Sequence, residues 1–185
     1  KWQFGGTKSE LPKGMAESLT LGWGLAQYHF HSYRSTPPAP INCLVIPKGV
    51  YTPRLLGQIR GIYLCRDLIN HPPNHMTPAT LEAIMVSLAK TYKATLKTHS
   101  SEALESGFPA INTVGRAAEV APRLMDFRWG KTGPKITLIG KGITFDSGGL
   151  DLKPSKAMEM MKKDMGGAAT VLGLAVALMA SKIDI

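Results

Sequence analysis

Two lysines and two aspartates within residues 141–164 are the side chains of this sequence best suited to chemistry. Lys141 follows a β-branched apolar run, and Asp146 comes next, ahead of two glycines that let the backbone approach closely or take a positive φ. Lys153 and Asp164 then precede an apolar segment. Carboxylate oxygens are the ligands that hard divalent cations prefer. The pattern therefore indicates a cation site.

Each of these residues also has a purely structural interpretation. A single lysine at the exit of a strand is usually a surface residue, and Asp164 could serve only as a favourable charge at the start of the next helix. Met161 could equally be a core residue. A carboxylate on a turn after a strand, however, lies where α/β proteins bind ligands. Two acids and one lysine near glycine turns therefore favour a cation site.

Alternating strands and helices must position these side chains. Apolar residues recur at helical spacing in residues 53–70, and Thr77 followed by Pro78 is typical of a helix start. This alternation predicts a layered α/β domain. Strands are predicted at residues 41–46, 94–100, 122–129 and 135–145, and helices at residues 14–35, 53–70, 78–90 and 165–180.

A proline-rich link marks the boundary between two parts of the chain. STPPAP, residues 35–40, places three prolines where a helix cannot continue. We therefore predict a domain boundary at residue 40.

Composition limits the classes of protein to consider. The 185 residues are 44% hydrophobic, enough for one good-sized core. The net charge of +9 comes from scattered lysines and arginines, so nucleic-acid binding is not favoured as the primary role. Cys43 and Cys65 lie far apart in apolar settings, which predicts reduced core thiols.

The sequence predicts neither a membrane-spanning helix nor a secretory signal. The apolar segment 165–180 is shorter than the roughly 20 residues of a membrane-spanning helix, so we interpret it as a buried core helix. The opening residues KWQFGGTKSE do not have the pattern of a secretory signal. Together with the reduced cysteines, these features predict a cytoplasmic protein without membrane association.

Three stretches of the sequence carry a family resemblance. GKGITFDSGGLDLKPSKAMEMMKKDMGGAATVLG, residues 140–173, resembles the signature region of the leucyl aminopeptidases, the cytosolic M17 metallopeptidases that use two metal ions. RDLINHPPNHMTP, residues 66–78, resembles the beginning of that family's catalytic domain, with His75 where the family usually has glutamate. LGWGLAQYHFHSYRS, residues 21–35, resembles the helix that joins the family's two domains.

The resemblance implies a fold and a domain assignment. Residues 1–40 would be the end of the N-terminal domain with its linker helix, and residues 41–185 the first part of a layered α/β/α catalytic domain, incomplete at its C-terminal side. The family's later segment, Asn-Thr-Asp-Ala-Glu-Gly-Arg-Leu, which supplies further acidic ligands and an arginine, does not occur in this sequence. We therefore expect the 185-residue chain to be inactive alone.

The resemblance also implies a role for each site residue. Lys141 would bind a metal ion through an uncharged amine, and Asp146 would bridge two ions. Asp164 would bind the same ion as Lys141. Lys153 would be the catalytic lysine beside the substrate carbonyl, and Met161 would line the pocket for the first side chain of the substrate. The implied cofactors are two divalent ions, zinc or manganese, with magnesium or cobalt also compatible.

The two lysines would have opposite electrostatic duties. An ammonium cannot coordinate a cation, so Lys141 must give up its proton, which nearby divalent charges favour. Lys153 would keep its charge and stabilise the oxyanion of the tetrahedral intermediate, a contribution of about 3 kcal/mol per donor. The paired ions would activate a bridging water. The implied reaction releases leucine and similar N-terminal residues from peptides, and the implied whole protein is a homo-hexamer.

Two other functions fit parts of the sequence. DSGG, residues 146–149, also occurs around the nucleophile of trypsin-like proteases, but Phe145 and Leu150 are the wrong flanking residues and the chain is poor in cysteine. Ser147 is therefore expected to be a turn residue. The second alternative is a non-catalytic DNA-binding or assembly module of the same family, for which salt-sensitive binding to duplex DNA would be diagnostic.

Overall fold

The computed structural model describes residues 12, 14–38, 40, 42–100 and 102–185. Two compact units divide the chain: Lys1–Asn70 with Ala169–Ile183, and His71–Ala168 with Asp184–Ile185. The opening residues, for which no secretory signal is predicted, lie outside the described residues. So does residue 41, the first of the predicted strand 41–46. The helices are α1 Met15–Ala26, α2 Thr52–Asn70, α3 Pro78–Tyr92, α4 Glu102–Gly107, α5 Pro109–Gly115, α6 Ser155–Met158, a 3₁₀ helix Met161–Met165, and α7 Gly166–Ala180; the strands are β1 Thr95–Ser100 and β2 Arg123–Arg128.

In the first unit, α1 is fastened to α2 by polar contacts at the end of α1. The Tyr63 hydroxyl donates to the carbonyl of Gly24, and Arg66 Nη1 donates to the carbonyl of Leu25 at 3.2 Å. The Tyr28 hydroxyl donates to Asp67 Oδ1 at 2.7 Å. The first two bonds add side-chain donors to carbonyls in the last turn of α1, and the third joins the residues that follow α1 to α2. The helix predicted for residues 14–35 therefore exists but ends at Ala26.

Small residues let α2 and α7 approach closely within the same unit. A Cβ atom on Gly61 would collide with the carbonyl oxygen of Gly173, and one on Gly57 would lie 2.7 Å from the Cβ of Ala180. Leu55 and Leu68 of α2 are fully buried, as are the small and aliphatic residues along one side of α7. The predicted core helix is thus confirmed. Its buried residues are Ala169, Leu172, Gly173, Val176 and Met179.

One helical stretch of the described residues has the length and composition of a membrane span. It is Ser155–Ala180, 26 residues long, with a mean hydropathy of 1.3 over its most apolar window. Core helices of water-soluble proteins meet the same criterion, and one side of the α7 part of this stretch is buried.

The second unit places α3 on a two-stranded antiparallel sheet. Thr77 caps α3 by accepting a hydrogen bond from the backbone N–H of Thr80 at 3.2 Å, as predicted. Strands β1 and β2 pair from Thr95 opposite Arg128 to Ser100 opposite Arg123. Arg123 also forms a 3.0 Å ion pair with Glu82 of α3. The strands predicted at residues 94–100 and 122–129 are confirmed, as is the α/β class.

Two other predicted strands are wrong for the described residues. Only Leu44 makes an isolated bridge in residues 42–46, and residues 135–145 form no strand. A strand requires a neighbour to accept and donate its backbone hydrogen bonds, and the described residues that form a sheet, β1 and β2, pair with each other. Apolar side chains that such a neighbour would cover are therefore exposed, with Ile139 at 89% of its maximal surface.

The cysteines are free but are not core residues. Cys65 is partly buried and its Sγ lies 3.7 Å from Thr170 Oγ1, whereas Cys43 is exposed. The prediction of unpaired thiols is therefore confirmed, and the prediction that both belong to the core is wrong. Residues 42–46 form no strand that would bury Cys43 in the described structure.

Candidate functional site

All five predicted site residues lie in the second unit, on the loop 140–154 and the 3₁₀ helix that follows α6. The loop is pressed against the start of α7. A Cβ atom on Gly140 would lie 2.6 Å from the Cα of Ala168, and one on Gly167 would lie 2.8 Å from the nitrogen of Lys141. Backbones this close leave no room for a side chain at either glycine. The contact fixes Lys141 beside the residues that precede α7.

A hydrogen bond strengthens this contact between the loop and the helix. The backbone N–H of Ala168, which the first turn of α7 leaves without a helical partner, donates to the carbonyl of Lys141 at 2.9 Å. The backbone of Lys141 is therefore held while its ammonium group extends toward solvent. The side chain is 61% exposed.

Asp146 begins a tight turn that Lys153 closes. Its Oδ1 accepts the backbone N–H of Gly148 at 2.9 Å, and Gly148 has a φ of 90°, a conformation that glycine adopts without strain. The carbonyl of Ser147 accepts the backbone N–H of Lys153 at 2.9 Å. The Lys153 ammonium then reaches back to Asp146 Oδ2 at 2.6 Å. Ser147 is thus a turn residue, as predicted.

Met161 lies directly beneath this turn. Its side chain is buried, with 5% of its surface exposed, and its sulfur accepts the backbone N–H of Asp146 at 3.0 Å. This burial agrees with the core interpretation of Met161, and its role in a substrate pocket stays a prediction. The contact links the turn to the 3₁₀ helix that carries Asp164.

Asp164 is held by two lysines. Lys141 Nζ lies 3.2 Å from Oδ2, and Lys163 Nζ lies 3.0 Å from Oδ1. The sequence interpretation did not single out Lys163. Its position next to Asp164 in the stretch MKKDM was the signal in the sequence for this ion pair. The 3₁₀ conformation, however, decides which of the two consecutive lysines reaches the carboxylate.

These ion pairs favour the charged form of both carboxylates. The hydrogen bond from Lys153, then that from the backbone of Gly148, holds the pKa of Asp146 below its ordinary value, and the charge of Lys141 adds to the effect. The hydrogen bond from Lys163, followed by that from Lys141, lowers the pKa of Asp164. The charge of Lys141 therefore favours the ionised form of both carboxylates.

The donor atoms of this cluster suit a divalent cation. Two carboxylates supply hard oxygen ligands, and Lys141 supplies a nitrogen ligand once it is deprotonated. Within the described ranges, no group of three or more histidine, cysteine, aspartate and glutamate side chains could hold a metal ion. Asp146 and Asp164, each paired with a lysine, are the candidate carboxylate ligands of this segment.

Comparison with known proteins identifies the family of the chain. Residues 63–185 match the family described as the cytosol aminopeptidase family, catalytic domain. A probable cytosol aminopeptidase of Geobacter sp. (strain M21) is 42% identical over 96% of this chain and 39% of its own length. The crystal structure of a cytosol aminopeptidase from Coxiella burnetii is 43% identical and superposes with a TM-score of 0.84, over 91% of this chain and 37% of the other.

A third relative was solved with a metal ion. The bottromycin maturation enzyme BotP in complex with Mn is 30% identical and has a TM-score of 0.83, over 96% of this chain and 39% of its own. The chain belongs to the cytosol aminopeptidase family, M17. It spans about two fifths of the length of these relatives.

Proposed function

We propose that the whole protein to which this chain belongs is a metal-dependent aminopeptidase that releases leucine and similar apolar residues from the N-termini of peptides. The observation that carries the proposal is the cluster of two ion pairs, Lys141 with Asp164 at 3.2 Å and Lys153 with Asp146 at 2.6 Å. It lies within the segment 63–185 that matches the family's catalytic domain. Family membership alone would not distinguish an intact site from a degenerate one.

In this proposal Lys141, Asp146 and Asp164 would hold two divalent ions, with Asp146 shared as a ligand. Zinc and manganese are the first candidates, supported by the manganese complex of BotP, and magnesium and cobalt also accept these donors. When bound, the ions supply Lewis acidity and an activated water. Lys153 would give up its 2.6 Å contact with Asp146 Oδ2, because that oxygen would serve as a ligand.

Lys153 would then be available to stabilise the oxyanion of the transition state. It keeps its proton and turns its ammonium toward the carbonyl oxygen of the scissile peptide, where negative charge develops in the transition state. The turn that Gly148 and Ser147 stabilise keeps the Lys153 backbone fixed during this change. Met161, buried under the turn, lines the pocket for the first side chain of the substrate.

The 185-residue chain by itself is proposed to be inactive, since its described residues offer two carboxylates and one amine for two ions. The whole protein is proposed to act in the cytoplasm, in keeping with the names of its relatives, and to assemble as a homo-hexamer. Sedimentation of the whole protein would test the assembly directly.

A chimera tests the enzymatic proposal. This chain would replace the matching part of the Geobacter aminopeptidase, and hydrolysis of leucine amide would be measured with manganese, after chelation, and with Asp146→Ala. We expect turnover that is lost on chelation, restored by manganese, and abolished by D146A, with Asp151→Ala in the same loop as the control. Turnover that survives chelation or D146A would contradict the proposal.

A further inference from the structure

The 3₁₀ helix Met161–Met165 carries a lysine that the proposed reaction does not use. Lys163 Nζ lies 3.0 Å from Asp164 Oδ1, while Lys141 occupies the other oxygen at 3.2 Å. Both oxygens of the carboxylate therefore already contact a cationic group. The side chain of Asp164 is 27% exposed and that of Lys163 is 68% exposed, so Lys163 can withdraw into solvent.

Lys141 and Lys163 would respond differently to the binding of a metal ion at Asp164. Lys141 can remain in the site as a neutral nitrogen ligand. Lys163 is not one of the proposed ligands, and its contact with Asp164 would be lost if a cation took Oδ1. It then remains nearby as a positive charge that repels a divalent ion, with a strength that depends on salt.

We propose that Lys163 is a positioning residue that holds the Asp164 carboxylate in place before metal binds and sets the affinity of that site by competing with the ion. An exposed ion pair of this kind is worth little, so the competition is modest. The inference rests on the proposed function in one respect, that Asp164 is a metal ligand.

Lys162 is a matched control on the same short helix. It has the same charge, precedes Lys163 directly, and forms no ion pair with a residue of the described ranges, whereas Lys163 contacts Asp164. A difference between variants at these two positions therefore isolates the contact with Asp164 from a general change in net charge.

Binding of manganese to the 185-residue chain tests this inference without any assay of activity. Unbound Mn²⁺ would be followed by electron paramagnetic resonance in wild type, Lys163→Met, Lys163→Arg and Lys162→Met, each at low and high ionic strength. We expect K163M to bind Mn²⁺ about two- to fivefold more tightly than wild type at low salt. K163R and K162M should stay near wild type, and the advantage of K163M should shrink at high salt.

The outcomes separate the two proposals. Equal affinity of K163M and K162M, an advantage that is insensitive to salt, or no uptake of Mn²⁺ by any variant would overturn the role of Lys163. Lys163→Gln serves as a second neutral variant if circular dichroism shows that K163M is not folded. An inactive chimera, with the expected ranking of Mn²⁺ affinities intact, would instead overturn the aminopeptidase proposal alone.

Discussion

Lys153 contacts the turn that begins at Asp146 twice, once through its ammonium on Asp146 Oδ2 at 2.6 Å and once through its backbone N–H on the carbonyl of Ser147 at 2.9 Å. The backbone contact does not depend on the side chain. Replacement of the lysine side chain should therefore alter the charge balance of the site while leaving the turn formed.

Lys153→Met is expected to raise the pKa of Asp146 toward its ordinary value of 3.8, because the hydrogen bond from Lys153 is the largest cause of the lowered value. A lowered carboxyl pKa stabilises the folded state above the ordinary value, and this stabilisation is lost as the pH falls through the folded pKa. NMR titration of the Asp146 carboxyl carbon would measure the change. Lys156→Met, on the exposed surface of α6, should leave the Asp146 titration as it is.

Two glycines flank Lys141 and should respond differently to alanine. At Gly140 a Cβ would lie 2.6 Å from the Cα of Ala168, whereas at Gly142 it would lie 3.5 Å from the Cβ of Ala168, an ordinary contact. Gly140→Ala should lower the free energy of unfolding by about 1–3 kcal/mol through overpacking. Gly142→Ala should cost much less. Urea unfolding of both variants would test this, and equal losses would mean that the loop is not pressed against α7.

A second glycine pair tests the packing of α2. Alanine is normally favoured over glycine in a helix by up to about 1 kcal/mol. Gly22→Ala, in the exposed part of α1 with nothing within 4 Å, should therefore raise the stability. Gly61→Ala should lower it by about 1–3 kcal/mol, because the new Cβ collides with the carbonyl of Gly173. Thermal unfolding followed by circular dichroism would reveal the opposite signs.

Tyr28 should make the stability sensitive to alkaline pH. Burial, followed by the hydrogen bond to Asp67, raises its pKa from 10.0 to about 12. A raised pKa means that the neutral hydroxyl stabilises the folded state fully below pH 10, and that this stabilisation is lost as the pH rises toward 12. Burial also raises the pKa of Tyr63, so tyrosinate absorbance should show late titration of both residues, and Tyr28→Phe should remove the Tyr28 part of it. Tyr33→Phe, on an exposed ring, should leave that late titration in place.

Local signals predicted α2, α3, α7 and the two paired strands, whereas the short helices α4, α5 and α6 were not predicted and α1 ends earlier than expected. Thr77 and Pro78 carry their own start signal, and residues 53–70 carry apolar residues at helical spacing. The run at residues 135–145 has equally strong strand character, yet its structure depends on a neighbouring strand that is absent from the described residues. A β-strand is defined by pairing, so its sequence alone could not reveal this outcome.

The candidate site was predictable where chemistry restricts the residue type. Asp146, Asp164 and the two lysines of the family pattern were found because few side chains can bind a cation or face an oxyanion. Lys163 was missed since consecutive lysines look alike in a sequence, and only the 3₁₀ backbone brings one of them to Asp164. The closeness of Gly140 to Ala168 likewise requires coordinates.

The uncovered run Ile136–Ile139 has a practical consequence for anyone who handles this polypeptide. Ile136 is 56% exposed and Ile139 is 89% exposed, on backbone that joins no sheet in the described part of the chain. Such β-branched stretches adhere to one another edge to edge and seed aggregates. The net charge of +9 keeps molecules apart in dilute buffer, but concentrated salt weakens that repulsion, and storage at low ionic strength should prolong the life of the sample.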